Sequence, residues 1–506
     1  MNKSLYLINP KPDVPNYYSA EVVAAQGLPP AINFADLTLP TVAALTPDRF
    51  RVQLCDESVT AVDLASQADF IGITGKSTQV TGMLRLARHF RQQGKTVIIG
   101  GPFATLSPEA VRADCDILVR GEIELIASDL FADLQRGRWQ AEYVGGQPDL
   151  SRSPIPRWDL YPNDRALLAT IQTSRGCPFE CEFCDVIQYV GRRQRHKPID
   201  QVLAELEILA DLGYRNIFLA DDNLTVHRRR AKELLTALAD WNTRRSDGRV
   251  HFVSQVSIDT GREDDILNLA AAAGLREVFI GIETPNEKSL REVHKRKNVG
   301  VNLQAQIQRF LHHGISVTGG MMVGFDADGP DIFERQRDFA MSTPIPIFTT
   351  SVLVAPNATP LYSRLEQAGR LTSGAQGADM NVWQTNIIPA RMTQAELLEG
   401  TRWLVNEIYR PEAFGKRVLA MIESLGQPDS LPSAPRQRTL RPVEADSLTL
   451  LLRLQQLGRA EAAMVSTVTR MAAKKPLASA AVMNALFRYA QIRYMLQQAN
   501  LLDRPV

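Results

Sequence analysis

The apolar positions of the first 150 residues come in short unbroken runs separated by polar stretches. "SLYLINP", "FRVQLCDES", "ADFIGITG", "KTVIIGGP" and "CDILVRGE" read as buried strands. "TGMLRLARHFRQQG", between the third and fourth, has helical periodicity and a glycine stop. Continuous Val/Ile/Leu strands alternating with helices predict a parallel sheet covered on both faces, an α/β Rossmann-like domain over 1–150. Ligands of such sheets bind beyond the carboxyl ends of the strands. Those ends fall at Asn9-Pro10, Gly75-Lys76-Ser77-Thr78, Gly100-Gly101-Pro102 and Gly121-Glu122.

"QPDLSRSPIPRWDLYPND", with four prolines, reads as a linker, taken as 151–164. The βα alternation then resumes over 165–390. Strands are expected at "ALLATIQTS", "NIFLADDN", "HFVSQVSID", "EVFIGIET", "SVTGGMMVGFD" and "FTTSVLVAP", with helices such as 200–212 and 227–242 between them. Six parallel strands with such crossovers predict a partial or complete β/α barrel. From about Met392 the pattern changes to long helices with polar loops around 427–445, giving a helical domain over 391–506. "TLLLRLQQLGRAEAAMV" and "MNALFRYAQIRYMLQQANLL" are amphipathic and read as a lid on the barrel. Peripheral membrane contact is the alternative, although both lack the strong Lys/Arg face of interfacial helices.

Composition narrows the class. The 506 residues are 44% hydrophobic and 22% charged, as in globular proteins, and a net charge of +1 gives no support to nucleic-acid binding. "MNKSLYLINPKPD" reads as a buried strand, not a signal peptide, and no apolar stretch approaches a bilayer-spanning length. Five cysteines give no disulfide framework, so the cytoplasm is the expected compartment. Cys55 and Cys115 sit in or beside strands and read as small buried hydrophobes. "GRRQRHK" (191–197) reads as a solvated loop, with contact to an anionic substrate or an electron donor as the alternative.

The other three cysteines, in "TSRGCPFECEFCD" (173–185), are spaced C-x-x-x-C-x-x-C. Thiols so close share a metal or are incidental. A zinc site completed by His196 and three buried core cysteines are the plain alternatives. A four-iron cluster held by three thiolates would leave one iron open to a ligand.

This C-x-x-x-C-x-aromatic-C at the end of a first barrel strand resembles the signature of radical S-adenosylmethionine (SAM) enzymes. The resemblance implies that Cys177, Cys181 and Cys184 ligate a 4Fe-4S cluster whose fourth iron chelates SAM, with Phe183 beside the adenine. Asp221-Asp222-Asn223 ends the second strand where the family commonly carries Gly-Gly-Glu for the methionine amine. An Asp carboxylate accepts the same bonds, whereas Asn223 as a helix N-cap is the competing reading. Ser257 and Glu283 match strand ends that contact the cofactor's sugar or substrate. "GGMMVGFD" (319–326), with Gly324, resembles the glycine-rich strand lying against the adenine.

The first 150 residues resemble a cobalamin-binding domain fused ahead of some radical SAM enzymes, through "ADFIGITGKST", "VIIGGPFAT" and "ILVRGEIE". That implies Ser77, Thr78, Gly100, Gly101, Gly121 and Glu122 as cobalamin contacts; generic βα-loop chemistry is the alternative. There is no G-x-G-x-x-G for a dinucleotide. There is also no D-x-H-x-x-G after the first strand, and His89 lies on an Arg-rich helix face. Cobalamin is therefore expected without a protein histidine on cobalt. Asn16, Tyr17 and Tyr18 line its lower face or anchor their loop.

Over its whole length the chain is similar to cobalamin-binding radical SAM proteins with a helical C-terminal extension, hopanoid C-2 methylases among them. The resemblance implies methylation of an unactivated carbon in a small-molecule or lipid substrate, through methylcobalamin and a 5′-deoxyadenosyl radical. A flavodoxin or ferredoxin would supply electrons. A non-methylating cobalamin-dependent radical enzyme, or a cobalamin sensor with a structural cluster, are the alternatives.

Overall fold

The computed structural model describes residues 3–372, 383–426 and 440–502. In chain order the strands are β1 (Lys3–Asn9), β2 (Ile32–Phe34), β3 (Phe50–Asp56), β4 (Phe70–Thr74), β5 (Thr96–Gly100), β6 (Ile117–Arg120), β7 (Glu142–Val144) and β8 (Ala166–Ile171). They continue with the two-residue β9 (Ser174–Arg175) and β10 (Arg195–His196). β11 (Asn216–Leu219), β12 (His251–Gln255), β13 (Leu275–Glu283), β14 (Ser316–Val323) and β15 (Ile347–Val352) complete the set.

The first sheet runs β3-β1-β4-β5-β6-β7, parallel throughout. Its apolar runs bury both faces: Tyr6 and Ile8 enter one core, Leu5 and Leu7 the other. Five of the six strands were legible as apolar runs; β7 is a three-residue edge strand, too short to show a period. Cys55 is buried in one of these cores, while Cys115 only packs against it.

The second sheet runs β15-β14-β13-β12-β11-β8-β2 and is also parallel. The six strands expected after the linker are present in sequence order. β2 is the unexpected seventh: Ile32 pairs with Ala166 and Phe34 with Leu168. Phe34 packs its ring 4.8 Å from that of Phe218. A segment inside the first 150 residues thus belongs to the partial barrel. The linker is also packed, with Trp158 only 1% exposed. Tyr161 donates to Asp56 Oδ2 at 2.8 Å and accepts from the Asp36 amide at 2.9 Å.

β15 and β2 do not pair, so the barrel is open and β15 has a free edge. Two tyrosine hydroxyls satisfy it. Tyr17 Oη donates to Thr350 O at 2.6 Å and accepts from Thr350 N at 2.9 Å. Tyr409 Oη does the same at Phe348, at 2.5 and 2.9 Å. Each hydroxyl occupies one donor and one acceptor that an edge strand otherwise leaves unpaired. Tyr17 is thus tied to the barrel edge, and Tyr18 packs its ring 5.5 Å from that of Phe34 on β2.

The helices Gln394–Tyr409, Pro411–Ser424, Pro442–Leu454, Arg459–Ala472 and Pro476–Gln498 share one core with the barrel. Val482, Leu486, Tyr489, Ile492 and Met495 of the last helix are buried. Its Gln491 donates to Ser19 O at 3.1 Å, and Arg488 lies 4.6 Å over the Tyr18 ring. Of the polar loop expected at 427–445, residues 427–439 lie outside the described residues. Among the described residues no helix is long and apolar enough to cross a membrane.

Candidate active site at the strand ends

In the first sheet the strand order reverses at β1, which lies between β3 and β4. The crevice beyond Asn9 and Thr74 is thus the expected ligand position of an open α/β sheet. Gln79 closes its floor: Nε2 donates to Asn9 Oδ1 at 2.8 Å and to the Pro10 carbonyl. Its Oε1 accepts from Lys76 N at 2.9 Å. The Asp13 carboxylate takes the amides of Thr81 and Gly82, each at 2.9 Å, at the start of the helix Val80–Gln92. Ser77 is exposed on the rim and Thr78 half-buried beside it. Gly101 follows Gly100 with φ +94°, and a Cβ there would stand 2.5 Å from Thr74 Oγ1. Glycine is required there because Thr74 and the Gly75 backbone already fill the space a side chain would take. His89 is committed elsewhere, with Nε2 3.0 Å from Leu64 O.

Gly121 (φ +74°) donates its amide to Thr105 Oγ1 at 3.0 Å. Glu122 does not stand open on the rim. Its carboxylate takes Arg175 Nη1 at 2.6 Å and Arg195 Nη1 at 3.0 Å, and Glu124 takes Arg175 at 2.7 Å. Its side chain is 8% exposed. This buried network sets the β6 loop against the segment leading into the cysteines. The helix Pro102–Leu106 packs on the helix Val186–Tyr189, just after those cysteines.

"GRRQRHK" is accordingly not one solvated loop. Arg192 and Arg193 are exposed, but Arg195 meets Glu122, and Lys197 meets buried Glu205 at 2.9 Å. The partners lie on other elements, so the run's composition could not distinguish them.

The cysteine loop leaves β8 under the control of the acids that follow β11. Asp221, with no exposed surface, accepts from Thr173 N at 2.9 Å, Thr173 Oγ1 at 2.7 Å, Ser174 Oγ at 3.1 Å and Ser174 N. Burial pushes its carboxyl up to about 6 although these bonds oppose the shift. Asp222 accepts from Gly176 N at 2.7 Å. Asn223 is no helix cap: the helix Arg228–Thr243 starts five residues later, capped by His227. Its amide donates instead to Ser257 Oγ at 2.5 Å.

Cys177, Cys181 and Cys184 are free thiols on this loop. Burial pushes Cys177 up and Cys184 up to about 11, while backbone N–H groups of Phe179, and of Ile187 and Val186, pull the respective sulfurs back. Among the described residues no three His, Cys, Asp or Glu side chains gather as a single-ion site. Ligands of a multi-iron cluster bind different irons and stand farther apart than ligands sharing one ion. A thiol-only donor set on one loop fits such a cluster. The zinc alternative needed His196 on the same ion as the cysteines, and among the described residues no such group is formed.

Two lysines that sequence reading missed complete the rim. Lys297 donates to Ser257 Oγ at 3.0 Å and lies 4.0 Å over the Phe179 ring. Lys295, buried, pairs with Glu283 and lies 5.8 Å from the Phe183 ring. Glu283 ends β13 at φ +66°, a strained conformation for a residue with a side chain. Lys295 and Lys297 sit in "HKRKN", which by itself looks like a solvated charge run. Gly324 (φ +104°) and Phe325 both donate their amides to Asp328 Oδ2 at 3.1 Å, and Phe325 meets Phe183 edge-on at 6.4 Å.

A half-barrel carrying three cysteines beyond its first strand, fused to a second parallel sheet, defines a recognisable class. Residues 171–336 match the family model of the radical SAM superfamily, and residues 359–497 match a domain of unknown function, DUF4070. An uncharacterized methyltransferase of Synechocystis sp. is 34% identical over 404 residues, covering 78% of this chain and 74% of the relative. The hopanoid C-2 methylase of Rhodopseudomonas palustris is 28% identical, covering 83% and 80%. The radical SAM methyltransferase TsrM from Kitasatospora setae, solved with cobalamin and a 4Fe-4S cluster, aligns with a TM-score of 0.61 at 16% identity, covering 94% and 100%. The cobalamin-dependent radical enzyme OxsB, solved with aqua-cobalamin, aligns at 0.61 and 15% identity, covering 98% and 80%. This chain belongs to the radical SAM superfamily, and its fold is that of the cobalamin-dependent members.

Proposed function

We propose that the chain methylates an unactivated carbon of a small-molecule or lipid substrate, using SAM, a 4Fe-4S cluster and cobalamin. The observation that carries this reading is the Glu122/Glu124–Arg175/Arg195 network, which ties the loop after β6 of the first sheet to the segments flanking the cysteine loop of the second. A substrate between them would meet both cofactors. When bound, these groups supply an electron, a carbon radical that removes a hydrogen atom, and a methyl group.

Cys177, Cys181 and Cys184 would hold the cluster. Phe183 would lie along the adenine, Gly324 would let backbone approach it, and Asp222, Asn223 and Ser257 offer polar atoms for the rest of SAM. Ser77, Thr78, Gly100, Gly101 and Gly121 would line the cobalamin crevice. In this reading Asp221 and Glu122 hold backbone and domains, not ligands, and Glu283 acts through Lys295. Packing of the helix Pro102–Leu106 on Val186–Tyr189 would exclude water from the gap, protecting a reactive intermediate.

Anaerobic turnover with reduced protein, hydroxocobalamin and SAM should yield both 5′-deoxyadenosine and S-adenosylhomocysteine. Deoxyadenosine alone, with an acceptor present, would favour a non-methylating radical enzyme. Neither product from protein with an intact cluster would overturn the catalytic reading.

We further read the cobalt as free of protein histidine, since His89 is bonded to the Leu64 carbonyl. Paramagnetic resonance of the cob(II)alamin-loaded protein should be unchanged when histidine nitrogens are isotopically labelled; a label-dependent splitting would refute this. Cytoplasmic location and a flavodoxin- or ferredoxin-type electron donor complete the proposal. Pro178 and Glu180, exposed at the tip of the cysteine loop, give such a donor a short route.

A further inference from the structure

The cysteine loop has almost no regular structure between Gly176 and Asp185, so nothing periodic fixes the spacing of its thiols. What fixes it comes from elsewhere in the chain. Glu182, between the second and third cysteines, is 6% exposed. Its amide donates to Val293 O at 3.1 Å, and its carbonyl accepts from Leu361 N at 3.1 Å. Arg364 grips the carboxylate with two nitrogens, Nε to Oε1 at 2.7 Å and Nη2 to Oε2 at 3.1 Å. Its third nitrogen, Nη1, donates to Asp326 Oδ2 at 2.6 Å, two residues beyond Gly324. Arg370 donates to the other oxygen of Asp326 and, through Nε, to Ile388 O at 2.9 Å.

Leu361, Arg364 and Leu365 lie on the helix Pro360–Gln367, N-capped by Thr359. That is the opening of the stretch matching the domain of unknown function. The same helix backs the aromatic position of the cysteine motif. Leu361 and Leu365 form a small core with Val293, Phe325, Leu353 and Ile387, against which Phe183 packs. One element therefore holds both inner residues of Cys181-Glu182-Phe183-Cys184. A planar, bidentate guanidinium suits this task, since it fixes orientation as well as distance.

We propose that the start of this C-terminal module braces the cysteine loop, with Arg364 as the positioning residue that sets Cys181 and Cys184 for a SAM-binding cluster. The proposal rests on the reading of the three cysteines as cluster ligands, but the brace itself is measurable without a cluster. Arg364→Gln removes the fork, Arg364→Lys keeps the charge without the two-point grip, and Glu182→Gln removes the other partner.

In cluster-free protein, mass spectrometry would follow alkylation of Cys181 and Cys184 by iodoacetamide, with Cys115 as internal control. Arg364→Gln should accelerate Cys181 and Cys184 about tenfold or more, the factor expected from losing charge-assisted hydrogen bonds, and leave Cys115 unchanged. Arg364→Lys should fall between, and Glu182→Gln combined with Arg364→Gln should be no faster than the faster single variant. In reconstituted protein, Arg364→Gln should weaken the change that SAM produces in the paramagnetic spectrum of the reduced cluster. Unaltered Cys181 alkylation in both Arg364 variants would overturn the brace. So would equal acceleration at Cys115, which would make Arg364 a residue of the fold alone. If wild-type protein takes up no iron while the alkylation contrast holds, the cluster reading fails and the brace stands.

Discussion

Replacing Cys181 with alanine should leave the protein folded but unable to hold a cluster or to cleave SAM. Cys181 is the middle thiol of the motif, 9% exposed, and its carbonyl accepts the Cys184 amide at 3.0 Å. The backbone bonds that shape the loop use atoms alanine retains, so the thermal midpoint of cluster-free protein should move by only a few degrees. The chemistry lost is different in kind. Two remaining thiolates cannot hold three irons of a cubane, so iron after anaerobic reconstitution should fall from about four per chain to about one or less. Deoxyadenosine formation should drop below detection. A Cys181→Ala protein with a full iron complement and SAM cleavage would remove the foundation of the proposed function.

Replacing Asp221 with alanine should act in the opposite way, through the fold first. Its carboxylate satisfies two backbone amides and two hydroxyls of Thr173 and Ser174, all buried. Alanine leaves those donors without partners and without water, at a cost of about 3 kcal/mol or more. The thermal midpoint should fall by several degrees, and the cysteine loop should lose its exit from β8. Asp221→Asn keeps acceptor capacity and should cost less.

The pH dependence separates charge from shape. Because burial raises this carboxyl to about 6, the folded state holds its proton more tightly than the unfolded state does. Its contribution is therefore largest below about pH 4 and declines as pH rises toward 6. The asparagine variant should lack that decline. If Asp221→Ala matched wild type in stability but lost SAM affinity alone, the carboxylate would be a ligand contact after all.

The strand ends, the cysteine spacing and the change to helices after Met392 were written locally in the chain. Unbroken Val/Ile/Leu runs need burial on both faces, which only a covered parallel sheet gives them, so eleven strand positions could be read directly. Three thiols in eight residues carry their chemistry in their spacing, whatever surrounds them. The neighbouring acids did not carry theirs. Asp221-Asp222-Asn223 reads equally well as a ligand grip or a cap, and the fold uses the three residues for Thr173–Ser174, Gly176 and Ser257 respectively.

Tertiary structure alone decided the remaining features, for one reason. Glu122 with Arg175, Glu182 with Arg364, and the tyrosine hydroxyls on β15 all join elements distant in sequence. β2 is three residues long and became a strand only because β8 offered an edge. A buried ion pair or an edge contact depends on the register between distant elements, and no local period encodes that register. The sequence determined what the protein is built from and where its cysteines stand; the packed chain determined which charges hold them there.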